Sequence, residues 1–168
     1  MFAATVIRSS DKTAFYCELS GQLEALLAGE RDPIANAANM AALLFEQVPD
    51  LNWAGFYFLH SPQELVLGPF QGKPACVRIA VGRGVCGTAV ARRATQRVED
   101  VHSFAGHIAC DSASRSELVV PLQREGEVFG VLDLDSPLPG RFAAEDQDGI
   151  ERLAAIYIAA SSPVVRGR

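Results

Sequence analysis

At Pro49 the apolar pattern of this chain changes period, and that change restricts the fold more than any other feature. Upstream, apolar residues recur at helical steps. Phe15, Leu19, Leu23, Leu26 and Leu27 follow Asp11, a suitable N-cap, and stop at Gly29. A second helix is predicted over about 32–47, with Pro33 in its first turn and Ile34, Ala37, Ala38, Ala41, Leu44 and Phe45 along its stripe. Downstream, short extended runs are divided by turns: NWAGFYFLH, ELVLGPF across Ser61-Pro62, and ACVRIAV. GRGVCGTAVARR reads as a Gly-rich loop feeding a short helix, QRVED as another extended piece, and VHSFAGHIACDSASRS as a long polar loop. SELVVPLQ and EVFGVLDLDS form a hairpin around Arg124-Glu125-Gly126. A last helix starts near Ala143 and turns Ile150, Leu153, Ala154 and Tyr157 inward. Runs of strands without strict βαβ alternation predict an α+β fold, an antiparallel sheet covered by helices, as one domain over residues 1–168.

Bulk properties narrow the function. The chain has 168 residues, enough for one full core, and is 49% apolar and 21% charged. A net charge of −5 argues against a nucleic-acid binder, which needs a clustered basic face. No apolar run approaches the ~20 residues that span a bilayer. The start, MFAATVIRSSDKTAF, has neither the basic n-region nor the apolar h-region of a secretory signal, so a cytoplasmic location is expected. In that reducing compartment thiols are more often catalytic, metal-binding or buried than disulfide-bonded.

Three of the four cysteines, Cys76, Cys86 and Cys110, lie in the Gly-rich centre, flanked by small or charged residues. The fourth, Cys17, sits between Tyr16 and Glu18 on the first predicted helix and reads as a small buried hydrophobe or an idle surface thiol. Cys110 falls in the long polar loop with His107 three residues before it. Asp111 beside it disfavours a thiolate, so activation falls to His107, an arginine or loop amides. Cys86 follows Gly82-Arg83-Gly84 at the start of a helix, where the dipole favours thiolate. Structural zinc prefers C-x₂₋₄-C pairs, and the gaps between 76, 86 and 110 do not supply one, so no metal is expected. GRGVCG matches neither the P-loop nor the dinucleotide pattern.

The carboxylates add a ligand. In VFGVLDLDS, Asp133 and Asp135 share one face of a strand and Leu132 and Leu134 the other. Two like charges on one face persist if that face is solvated, binds a cation or receives a ligand's ammonium group. Glu117 opens the neighbouring strand and could add a third acid. With Trp53 and Tyr57 as an aromatic wall, such a cluster suits a small cationic or zwitterionic ligand.

These residues carry a family resemblance. From about Asn52 to Asp148 the chain closely resembles the free methionine-(R)-sulfoxide reductases, which are stand-alone GAF domains. The motifs are LNWAGFYFL, LVLGPFQGKPACVRIAVGRGVCGTAVA, VEDVHSFAGHIACDSASRSELVVPL and VFGVLDLDS. Other GAF domains do not carry CVRI, GVCGTA and HIACD together. The resemblance implies a GAF-like fold with helices packed on one side of a central antiparallel sheet and a loop-rich active-site face. It implies Cys110 as the nucleophile, Cys76 as the resolving thiol and Cys86 as a secondary partner. Glu117, Asp133 and Asp135 match the substrate-binding acids, with Trp53 and Tyr57 lining the pocket. Ala80 stands where proline is expected, and Arg115 where a small polar residue is expected.

The chemistry agrees with that implication. A sulfoxide sulfur accepts attack only if its oxygen can be lost, which needs a thiolate and a proton donor. Cys110 would attack while one of Glu117, Asp133 and Asp135 protonates the oxygen; the others would hold the substrate ammonium. Methionine leaves, Cys110 becomes a sulfenic acid, and Cys76 or Cys86 condenses with it to a disulfide. An external dithiol such as thioredoxin would reduce that disulfide, with no bound cofactor. The resemblance also implies a homodimer through terminal helices. The alternative from another class is a GAF module that binds a small ligand or senses thiol redox state without catalysis.

Overall fold

The computed structural model describes residues 4–104 and 113–164. Two N-terminal helices form where the apolar spacing requires them. In α1 (Lys12–Leu27) the buried residues Tyr16, Leu19, Leu23 and Leu27 recur every three or four positions. The Asp11 side chain accepts from Ala14 N, a cap worth ~1 kcal/mol. In α2 (Pro33–Gln47) Asp32 accepts from both Ile34 N and Ala35 N, and Pro33 occupies the first turn.

Among the described residues six strands then build one antiparallel sheet: β1 (Trp53–Ser61), β2 (Glu64–Gly72), β3 (Arg78–Ala80), β4 (Gln96–Val98), β5 (Ser116–Arg124) and β6 (Glu127–Ser136). Their order is β3-β2-β1-β6-β5-β4. Helix α3 (Gly84–Arg92) joins β3 to β4, and α4 (Ala144–Ala160) follows β6. The β5–β6 hairpin closes on Glu125 and Gly126, with φ of 51° and 82°. That two-residue turn matches the twist of the flanking strands.

Alternation along the strands separates two cores. Phe56, Phe58, Leu118, Val120, Leu132 and Leu134 face α1, α2 and α4. Fully burying each such side chain contributes about 1.5–3 kcal/mol. Trp53, Tyr57, Val119 and Val131 face the other way and pack with Val85, Cys86, Ala89 and Val90 of α3. The expected helical side is therefore formed by α1, α2 and α4, while the short α3 shares the opposite, loop-rich face. Asp146, buried in the first turn of α4, joins α4 to α1. It accepts from Tyr16 Oη at 3.0 Å, Arg141 Nη1 at 3.1 Å and Ala143 N at 2.7 Å, and pairs with Lys12.

One strand is shorter than its sequence predicts. ACVRIAV contributes only Arg78–Ala80 to the sheet, which leaves Cys76 in the loop after β2. The Cys76 carbonyl accepts from the Tyr57 hydroxyl rather than from a ladder amide.

Candidate active site

Sheet parity brings the candidate acids together. Asp133 and Asp135 point to the α3 face of β6, as their alternation with Leu132 and Leu134 requires. Register places Glu117 of β5 directly across from Asp135, and Val119 across from Asp133. On the other flank, Trp53 of β1 pairs with Asp135 and Gly55 with Asp133. Gly55 keeps the wall closed, because a Cβ there would lie 2.4 Å from Phe70 Cβ and 2.6 Å from the Trp53 ring. Trp53 stacks on Phe70 at 5.4 Å and on Tyr57 at 5.9 Å. The resulting pocket encloses about 560 Å³ of free space, counting its open mouth.

Cys86, Glu117 and Asp133 form its buried floor. Cys86 Sγ donates to Asp133 Oδ2 across 3.3 Å, and Asp133 Oδ1 is buried with no donor among the described residues when Glu117 is ionised. Burial first, then Asp133 and Asp135, hold the Glu117 carboxyl well above the usual carboxylate range. Burial raises Asp133 from 3.8 to about 7, against hydrogen bonds from Cys86 and Glu117 that lower it. A protonated Glu117 is thus a donor beside a carboxylate short of one.

Helix position alone favoured a Cys86 thiolate; the tertiary setting reverses this. Burial, followed by the charges of Asp133 and Glu117, pushes the Cys86 thiol well up. The weak field of a nine-residue helix is outweighed by desolvation and three acids. Cys86, Glu117 and Asp133 each offer an atom within 4.8 Å of the others, a set that could hold a metal ion. Cysteine spacing along the chain gives no sign of this set, because two of its three members are carboxylates on β5 and β6. Shared protons account for its closeness, since the thiol and Glu117 both hydrogen-bond to Asp133.

The remaining expected residues separate. Cys76 is half-buried, packs against the cluster that contains Trp53 and Tyr57, and does not line the pocket. Cys17 is exposed on α1. The Arg115 backbone accepts from Val101 N and donates to the Ser136 carbonyl at the end of β6, and its side chain pairs with Asp100 at 3.8 Å. Cys110, His107 and Asp111 lie outside the described residues. Ser114, four positions after Cys110, lines the pocket and accepts from Asn52 Nδ2 at 3.0 Å. Sequence reasoning missed Ser114 and Lys73 as lining residues. Lys73 had a signal: it is one of two lysines in the chain and precedes the Cys76 motif.

Comparison with known proteins adds relatives to this geometry. Residues 35–160 match the model of the GAF domain. Free methionine-R-sulfoxide reductase of Escherichia coli is 59% identical over 145 residues, covering 86% of this chain and 87% of that protein. The protein of the same name from Saccharomyces cerevisiae is 41% identical, covering 79% and 78% respectively. Among solved structures, that of free methionine-R-sulfoxide reductase from Neisseria meningitidis in complex with its substrate superposes with a TM-score of 0.91. It is 46% identical and covers 95% of each chain.

Proposed function

The chain belongs to the GAF-domain family and, within it, to the free methionine-(R)-sulfoxide reductases, and from that premise we propose that it reduces free L-methionine (R)-sulfoxide to L-methionine. The observation that carries this reading is the convergence of Glu117, Asp133 and Asp135 beneath the Trp53–Tyr57 wall in one pocket. The acids match the ammonium end of a free amino acid, and the aromatic faces match its methylthio end. Glu117 supplies the proton to the sulfoxide oxygen. Burial first, then its acidic neighbours Asp133 and Asp135, hold it in its protonated form. Asp133, whose charge is supported by the Cys86 thiol, and Asp135 hold the ammonium group.

Cys110 is the nucleophile in this reading, and the lining role of nearby Ser114 supports it. Its thiolate attacks the substrate sulfur and the protonated oxygen is displaced. After hydrolysis, methionine has gained two electrons and Cys110 is a sulfenic acid. The Cys76 thiol then attacks Cys110 sulfur; an S–S bond forms, the S–O bond breaks and water leaves. Cys86, held as a thiol, is the secondary partner. An external dithiol of the thioredoxin class restores both thiols, and no bound cofactor takes part. A single GAF unit over residues 1–168, cytoplasmic and paired as a homodimer through terminal helices, belongs to the same reading. No helix among the described residues is long and apolar enough to cross a membrane.

The test uses racemic methionine sulfoxide with the reduced protein and a dithiol, in the absence of metal, with each epimer quantified by chromatography. Loss of the R epimer alone is expected, and Cys110→Ser abolishes it. Retained turnover in that variant overturns the nucleophile. No loss with the wild-type protein overturns the enzyme and leaves a ligand-binding or thiol-sensing module.

A further inference from the structure

Two side-chain hydrogen bonds wire the aromatic wall of the pocket to the loop that carries Cys76. Trp53 Nε1 donates to the Lys73 carbonyl at 3.2 Å, and the Tyr57 hydroxyl donates to the Cys76 carbonyl at 2.9 Å. Both rings are buried and stacked, so their donors sit on a rigid strand. The loop lies between the end of β2 at Gly72 and the start of β3 at Arg78. The backbone ladder reaches it at Val77, whose carbonyl accepts from Leu67 N. Lys73, Pro74 and Ala75 line the pocket, and Cys76, next in the loop, packs against the cluster that contains Trp53 and Tyr57. The hydroxyl of Tyr57 is thus aimed at the loop backbone while its ring faces the pocket.

We propose that Tyr57 is a positioning residue for the recycling half of the reaction. Its hydroxyl fixes the backbone of Cys76, and Trp53 fixes the start of the same loop, so that the Cys76 thiol is presented to oxidised Cys110. This rests on the roles of Cys110 and Cys76 argued above. In the step concerned, Cys76 sulfur bonds to the sulfenic sulfur of Cys110, and hydroxide leaves with the thiol proton as water. The sulfenic acid is the oxidant and comes from the substrate. A carbonyl that loses a buried donor leaves its loop free to sample other positions, and the attacking thiol spends less time in line.

Tyr57→Phe tests this, because it keeps the ring and removes the donor. Pre-reduced protein is mixed with substrate in a rapid-quench apparatus without a reductant. Methionine release reports the first turn, and loss of a second free thiol reports disulfide formation. Tyr57→Phe is expected to slow disulfide formation ~3–10-fold more than it slows methionine release, the worth of one neutral hydrogen bond. Amide hydrogen exchange in the peptide spanning 73–77 rises in parallel. Trp53→Phe, which removes the other donor, shifts the same ratio in the same direction and serves if the first variant folds poorly. Equal slowing of both steps, or no change in either, overturns the proposal. Cys76→Ser separates the two layers. If it recycles like wild type, Cys76 is not the resolving thiol and the underlying reading fails. If it stops after one turn while Tyr57→Phe forms the disulfide normally, the anchoring role alone fails.

Discussion

Glu117 and Asp135 stand directly opposite each other on β5 and β6, a pairing of like charges that a sheet ordinarily avoids. Asp133 lies on the same face one pleat away, and both Glu117 and Asp133 are 6% exposed. Desolvation raises both Glu117 and Asp133, and the charges of Asp133 and Asp135 raise Glu117 further, so the site is relieved by retaining protons. A site that destabilises its own carboxylates gains when a cation arrives or when a proton is passed on.

Glu117→Gln preserves shape and removes the transferable proton. We expect kcat/KM for free methionine (R)-sulfoxide to fall ~10²–10⁴-fold, the usual worth of general acid catalysis. Steady-state kinetics on a variant with wild-type circular dichroism provides the check. Activity within threefold of wild type would place the proton donor elsewhere.

Stability should fall as pH rises across the acid range of Asp133. Its folded pKa, about 7, lies above its ordinary value of 3.8. The folded state therefore holds the extra proton between those values. The stabilising contribution is complete below pH 3.8 and is lost as pH climbs through about 7. The slope approaches ~1 kcal/mol per pH unit for one proton. Urea unfolding of reduced protein at pH 5, 6, 7 and 8 measures it, and Asp133→Asn should flatten the profile. A wild-type profile rising toward pH 8 would contradict a protonated floor.

Ammonium recognition by the acids predicts discrimination against a blocked amine. N-acetyl methionine (R)-sulfoxide should show kcat/KM lower by ~10–100-fold, the range for hydrogen bonds to charged groups. Competition between the free and acetylated substrates in one vessel gives the ratio directly. Equal rates would remove the acids from substrate binding.

Helix α4 approaches α1 closely at Gly149, where an added Cβ would lie 2.2 Å from the Tyr16 ring. Gly149→Ala must push apart the helices that Asp146 joins. A loss of ~1–3 kcal/mol is expected despite the better helix propensity of alanine. Thermal unfolding decides it, and a raised Tm would show that the helix pair yields without strain.

Local rules made much of this protein legible. Asp11 announced the first helix because a side-chain oxygen just ahead of an apolar stripe satisfies orphan amides, and Pro33 announced the first turn of the second. The two-residue alternation in VFGVLDLDS separated Asp133 and Asp135 from Leu132 and Leu134, and the sheet keeps that separation. The same parity set Trp53 and Tyr57 on the pocket side and Phe56 and Phe58 on the helix side. The extent of β3 was not legible, because propensity does not register that a side-chain donor, Tyr57, takes the Cys76 carbonyl out of the ladder.

Sequence alone sets which strand faces the candidate residues occupy and, through the motifs around Cys76, Cys86 and Cys110, the family they resemble. It could not determine their ionisation, because charge state depends on burial and on neighbours brought in from distant positions. Residue 86 meets residue 133 only when α3 folds over β6, and that contact turns an expected thiolate into a thiol that donates to Asp133. Tertiary structure likewise decided that Lys73 and Ser114 line the pocket and that Cys76 hangs from the hydroxyl of Tyr57. Periodicity is a property of neighbours along the chain, whereas desolvation and electrostatic coupling are properties of neighbours in space.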